Sequence, residues 1–133
     1  MFRSFFVRKN DSGDVADILR DGECSCAFFV SSVLSLCQLT RGRIRTTVRG
    51  VREALIYSSD WESIDQNWNA KLGDVVFWER VWFADGSSNE HVGFALNYPE
   101  AVSTSSSEKM VNVHHITYGG LRKITHIFRY KGE

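Results

Sequence analysis

The chain is poor in the features that would settle its class at once. It has one proline, Pro99, and three cysteines in 133 residues. With so little proline there is no proline-rich linker, and no internal repeat is visible, so residues 1–133 read as a single domain. Cys24 and Cys26 stand too close together for an ordinary disulfide, and Cys37 falls inside a predicted helix. That excludes the disulfide framework of a small secreted scaffold. Long apolar runs are missing too. Nothing approaches the roughly 20 residues that a membrane-spanning helix needs, and the stretch from Met1 to Lys9 lacks the apolar centre of a signal peptide. The expected compartment is the cell interior, or a site reached by a non-classical or phage-type route. Net charge is the last absence. Sixteen basic and sixteen acidic side chains cancel, which removes the electrostatic reason to expect nucleic acid or an anionic membrane as a partner. What is present is core material: 43% hydrophobic and 13% aromatic residues argue against disorder. A chain of this length buries a core without covalent staples.

Periodicity divides the chain. The first half reads as helix. Asp14 to Arg20 carries Val15, Ile18 and Leu19 on one side, a short amphipathic turn or two that Gly22 stops. Cys26 to Leu39 is apolar nearly all round, which predicts a central buried helix over that stretch, with Gly42 close behind its end. Thr46 to Tyr57 predicts a third helix with Val48, Val51, Leu55 and Ile56 facing inward. After that the period shortens. Asp74 to Phe83 is rich in β-branched and aromatic residues, Asp85 to Asn89 is turn material, and His91 to Leu96 completes a hairpin. Shorter strands are predicted at Ala101 to Ser103, Met110 to Ile116 and Lys123 to Tyr130. Helices first and an antiparallel sheet second predict an α+β fold, with the helices packed on the sheet.

Two residues carry the chemistry. Cys26 opens the apolar helix, where unpaired backbone N–H groups and the helix dipole favour a thiolate and could hold an oxyanion. His91 opens an apolar strand and is a plausible base for that thiol. Cys37, among Leu34, Leu36 and Leu39, reads as core. His126 alternates with core positions and reads as a packed or hydrogen-bonded ring. His114 and His115 are neighbours on a strand and point to opposite faces, so they do not suit one metal ion, although one of them could support the wall of a site. No metal and no cofactor is expected. Trp78 reads as core, Trp61 and Trp68 as partly exposed, and Trp82 with Phe83, near the hairpin tip, as the better candidate for a substrate groove. The arginines at 41, 43, 45, 49 and 52 read as solvated surface that could also meet a carboxylate-bearing substrate.

The segment Ser25-Cys26-Ala27-Phe28-Phe29-Val30-Ser31-Ser32-Val33-Leu34 resembles the cysteine helix of NlpC-like and CHAP-like papain-fold hydrolases. Gly73-Asp74-Val75-Val76-Phe77 resembles their Gly-Asp-hydrophobic strand, His91-Val92-Gly93-Phe94 their histidine strand, and Val102 to Ser106 the strand after it. The four occur in the family's order, from Gly22 to about Tyr130. The resemblance implies a papain-like fold and a cysteine amidohydrolase that cuts peptides, above all bacterial cell-wall stem peptides, without metal or cofactor. It implies Cys26 as nucleophile, His91 as base and Ser103 as the residue that orients the imidazole. Many members have a histidine at that last position, and many have an acidic residue directly before the cysteine. Here the acidic residue precedes Cys24, which keeps a second alignment open with Cys24 as nucleophile. Two other readings stand beside this one: a binding module on the same fold, and an intracellular hydrolase of peptide substrates.

Overall fold

The computed structural model of the chain describes residues 6–8, 15–17, 25–65, 70–82, 84–86, 88–105 and 110–132. A small antiparallel pair, β1 (Phe6–Arg8) and β2 (Val15–Asp17), comes first. Helices α1 (Ser25–Leu36) and α2 (Val48–Ile56) follow. Six strands complete the fold: β3 (Trp61–Ile64), β4 (Val75–Trp82), β5 (Ser88–Ala95), β6 (Glu100–Ser105), β7 (Met110–His115) and β8 (Ile124–Tyr130). They form one antiparallel sheet in the order β3-β8-β4-β5-β6-β7. The last strand thus enters between β3 and β4. The fold is α+β, with two helices packed on a six-stranded antiparallel sheet. Among the described residues no helix is long and apolar enough to cross a membrane.

Both faces of the sheet are covered, because its strands alternate between two sets of apolar residues. Val75, Phe77, Val92 and Phe128 meet Cys26, Ala27, Val30 and Leu34 of α1 and Val51 and Leu55 of α2. Val76, Trp78, Ala95, Ala101, Ile124 and Ile127 point the other way and are covered by Ala70 and Ile116. Phe29 of α1 meets Phe94 edge-on at 5.9 Å between ring centres, which seats the helix over β5.

Several local expectations are corrected. Asp14 to Arg20 was expected as a helical turn, but Val15–Asp17 pairs with β1 as a strand. A turn or two with three apolar positions cannot meet the cost of helix nucleation, whereas the neighbouring Phe6-Val7-Arg8 offers a ready strand partner. The central helix ends at Leu36, not at Leu39. Its stop is Gln38, which adopts the left-handed conformation at φ 59°. There the amide of Leu39 donates to the Leu34 carbonyl at 2.8 Å and that of Gln38 to the Ser35 carbonyl at 3.0 Å, a Schellman closure. Leu39 folds back onto the core, while Leu36 and Cys37 are turned out to solvent, so Cys37 is not a core residue. In α2, Thr47 caps the N-terminus by accepting from the Gly50 amide at 2.9 Å, and Val51 and Leu55 are buried, but Ile56 is exposed. Trp61, read as partly exposed, is 5% exposed and begins β3, a strand the periodicity did not reveal. Its indole N–H donates to the Leu39 carbonyl at 2.9 Å, which ties that strand to the end of α1. Trp68 lies outside the described residues.

Asp74 locks the start of β4. Its buried carboxylate receives Arg129 Nε at 2.9 Å and Nη2 at 2.8 Å in a two-pronged pair, and it also accepts the Lys71 amide at 2.8 Å. The pair ties β8 to β4 at the centre of the sheet. Removing the carboxylate leaves a half-buried guanidinium and a backbone amide without it. Asp74→Ala is therefore expected to cost about 3 kcal/mol, read as a lower urea midpoint at unchanged slope. A loss under about 0.5 kcal/mol, the scale of an exposed pair, would show that the contact stabilises little.

Candidate functional site

Four neighbouring strands, β4 to β7, bring together a set of polar rings. Trp78 of β4 is paired with His91 of β5, and Gly93 lies two residues beyond His91 on the same face. Ser103 of β6 and His114 of β7 point to that face as well, because Ala101, which shares it, is the register partner of His114. Ser103 Oγ stands 2.9 Å from His91 Nε2, 2.7 Å from His114 Nε2 and 3.2 Å from the Tyr118 hydroxyl. Trp78 closes over the group, 5.2 Å from the His91 ring and 5.5 Å from that of His114, with its indole N–H donating to the Ile116 carbonyl at 2.6 Å.

Two backbone features permit this packing. A Cβ added at Gly93 would stand 2.5 Å from the Val102 carbonyl oxygen, 2.7 Å from Ser103 Cβ and 3.2 Å from Trp78 Cη2. The residue after Val92 is glycine because neither the adjoining strand nor the indole leaves room for a methyl group. The other feature is the turn after β7. Tyr118 takes φ 54°, and Gly119 and Gly120 follow at φ 69° and 89°. A tyrosine in this region is uncommon. Here it lays the phenol flat on His114, 4.1 Å between ring centres and 14° between planes.

Burial governs the electrostatics. The His91 pKa falls to about 3, first because burial disfavours the charged ring, then because of the Arg122 and His114 charges. Burial lowers His114 too, against the opposing effect of its bond to the His115 carbonyl. Tyr118 is raised, chiefly by burial, so it keeps its phenolic proton. Arg122 is lowered, again chiefly by burial, and is pinned to backbone: its Nε and Nη2 donate to the Glu79 carbonyl at 3.1 and 3.0 Å, and Nη2 donates to the Asn89 carbonyl at 2.9 Å. It thus spans the irregularity in β4 between Trp78 and Val81.

The residues expected to form a site divide into two groups. His91 and Ser103 are together. Cys26, 7% exposed in the first turn of α1, belongs to the helix-side core with Val92 and Phe77, whereas the His91 ring lies with Trp78 on the other face of the sheet. Cys26 lines a cavity of about 190 Å³ with Thr46, Thr47, Arg80, Asn89 and Glu90, beside the start of β5. A negative charge on Cys26 acts on both Tyr118 and Arg122, as one of the smaller contributions to each. Trp82 is 69% exposed at the end of β4. Phe83 and Cys24 lie outside the described residues. His115 turns away from the site and receives the Thr117 amide at 3.1 Å, while His126 bonds Thr125 at 3.0 Å and packs against Phe128 and Phe77. Among the described residues no three His, Cys, Asp or Glu side chains stand close enough to hold a metal ion. A larger cavity, of about 360 Å³, lies apart from the ring cluster, between the α1–α2 connection and the end of α2.

Tyr118, Trp78 and Arg122 were not read from the sequence as site residues. Only the pair of adjacent histidines gave a signal, since one of them had to share the face of Ser103.

The buried neutral His91 makes stability depend on pH. Its pKa is lower in the folded chain, about 3, than in the unfolded chain, about 6.5. Between those values the unfolded state binds the extra proton, so this contribution is complete above pH 6.5 and is lost as the pH falls towards 3. At about 1.4 kcal/mol per pH unit, the loss is on the order of 5 kcal/mol over the window. Urea midpoints taken between pH 7 and 4 should fall more steeply for the wild type than for His91→Gln. Parallel profiles would mean that the ring takes up its proton as easily folded as unfolded.

Comparison with known proteins finds no family model that matches the chain and no curated protein that is similar to it.

Proposed function

We propose that the chain is a cysteine-dependent hydrolase of amide bonds on a papain-like fold, with peptides, and in particular cell-wall stem peptides, as its substrate class. The observation that carries the reading is the 2.9 Å bond from Ser103 to His91 Nε2, twelve residues apart in sequence. It occurs where the resemblance to NlpC-like and CHAP-like enzymes calls for an orienting group. With Nε2 engaged, Nδ1 is the nitrogen that would take the thiol proton. Cys26 Sγ would then attack the carbonyl carbon, and backbone N–H groups at the start of α1 would receive the oxyanion. The proton would pass from His91 to the leaving amine, and water would cleave the thioester, returning a proton to the sulfur through the same ring. Asn89 and Glu90 share a cavity with Cys26 directly before His91, which makes that end of β5 the approach of the substrate. The exposed Trp82 ends β4 and would supply an apolar wall.

A second reading, a binding module on the same fold, draws on a specific observation. The Cys26 sulfur and the His91 ring belong to opposite faces of the sheet, and burial holds the imidazole near a pKa of 3. An imidazolium there forms only with a thiolate close enough to offset the cost of burial.

Alkylation separates the two, with the exposed Cys37 as an internal reference thiol. Under the hydrolase reading Cys26 reacts with iodoacetamide below pH 8 at least tenfold faster than Cys37, by peptide mapping, and His91→Ala removes the advantage. Purified peptidoglycan then yields fragments with the wild type and none with Cys26→Ala. Equal thiol rates together with no Cys26-dependent fragments would leave the binding module.

A further inference from the structure

We infer that His114 is a positioning residue: through Ser103 it fixes His91 in the tautomer that carries hydrogen on Nε2 and leaves Nδ1 bare. The argument starts at a carbonyl. His114 Nδ1 stands 2.8 Å from the His115 carbonyl oxygen, and a carbonyl only accepts, so Nδ1 carries a hydrogen. Turning the ring over would put carbon atoms at this contact and at Ser103, losing both bonds. Burial keeps the ring neutral, so Nε2 is bare and accepts. The hydroxyl facing it at 2.7 Å is that of Ser103, which therefore gives its single proton to His114. Two lone pairs remain on Ser103 Oγ. One faces the Tyr118 hydroxyl at 3.2 Å, which donates; the other faces His91 Nε2 at 2.9 Å, which must donate as well. A neutral His91 with hydrogen on Nε2 has its lone pair on Nδ1.

The direction of every bond in the cluster thus follows from one backbone oxygen on β7. If His114 could not accept, Ser103 would be free to donate to His91, and the opposite tautomer, with Nδ1 protonated and unable to take up a proton, would become available. The purpose of the device, a bare nitrogen ready for a thiol proton, rests on the hydrolase reading. The tautomer does not, and it is measured separately.

Two-bond proton–nitrogen correlation spectra of the full chain labelled with ¹⁵N-histidine, at neutral pH, read each ring nitrogen directly. The expected pattern is a protonated Nε2 and bare Nδ1 for His91, and the reverse for His114. A protonated His91 Nδ1 overturns the inference. His114→Phe removes the acceptor and should move most of the His91 population to the Nδ1-protonated form, whereas His114→Gln, whose side-chain oxygen accepts, should keep the wild-type pattern. A folded His114→Phe chain with an unchanged His91 pattern would overturn the positioning role, because a packing role alone moves stability and not the tautomer. Should that variant fail to fold, the wild-type spectrum and the glutamine variant still decide. Failure of Cys26 to alkylate would leave these spectra unaltered, so the two proposals fail by different signs.

Discussion

A hydroxyl group has one proton to give and two lone pairs to offer, and Ser103 uses all three. Around its oxygen stand three groups from three parts of the fold: His91 on β5, His114 on β7 and Tyr118 in the turn that follows. A buried hydroxyl with unmet capacity costs about 1–3 kcal/mol, and each ring nitrogen left facing nothing would add a cost of similar kind. Full use of the oxygen is what makes a cluster of two histidines and a tyrosine tolerable beneath Trp78. Other features serve that geometry. Gly93 lets β6 come close enough, the left-handed Tyr118 lays its ring on His114, and Trp78 anchors its indole on the Ile116 carbonyl. Satisfied networks of this kind rigidify what they occupy, and His91 is held accordingly.

Strand alternation constrains the site as strongly as the hydrogen bonds do. Val92 and Phe94 pack under the helices, so His91 and Gly93 cannot. A one-residue slip of β5 would exchange the two sets, burying an imidazole under α1 and turning Val92 and Phe94 towards Ser103 and Trp78. The apolar residues therefore fix the direction of His91 as firmly as Ser103 fixes its orientation. At the β4 irregularity Arg122 is bonded to the Glu79 and Asn89 carbonyls, where a charge on Cys26 contributes to its electrostatics. At the start of β5, Asn89 and Glu90 line a cavity together with Cys26.

The architecture was largely legible because it rests on patterns that local sequence carries. Period-2 runs marked β4, β5, β7 and β8, an apolar run behind Cys26 marked α1, and threonine with spaced apolar residues marked α2. What was not legible depended on distant partners. β3 is only Trp61–Ile64, too short for a periodic signal, and it exists as a strand because β8 pairs with it. Cys37 looked like core because Leu34, Leu36 and Leu39 surround it in sequence, but a left-handed Gln38 ends the helix first. In the site, His91 was read from its place at the start of an apolar strand, and Ser103 only from the resemblance to NlpC-like and CHAP-like enzymes. Tyr118 and Arg122 were not legible, since a turn tyrosine and a loop arginine become members only when the chain between β7 and β8 packs on Trp78 and bonds the Glu79 carbonyl.

The serine at 103 also has a steric logic. Where an orienting residue is a histidine, its own ring fills the space between one strand and the next. Serine stops after one heavy atom beyond Cβ, and the space behind it would be a void or a water site in an otherwise dry face. Here it is filled by the His114 and Tyr118 rings, stacked on each other and covered by Trp78. The hydroxyl on β6 acts as the joint between two imidazoles, that of His91 on β5 and that of His114 on β7. Such a joint needs both neighbours. Without His114 it can turn its proton towards His91, and without the close approach that Gly93 allows it cannot reach His91 at all. The glycine, the serine and the first of the paired histidines form one mechanical unit. The short side chain at 103 is therefore compatible with a firmly oriented imidazole, because the His114 ring reaches its hydroxyl from β7.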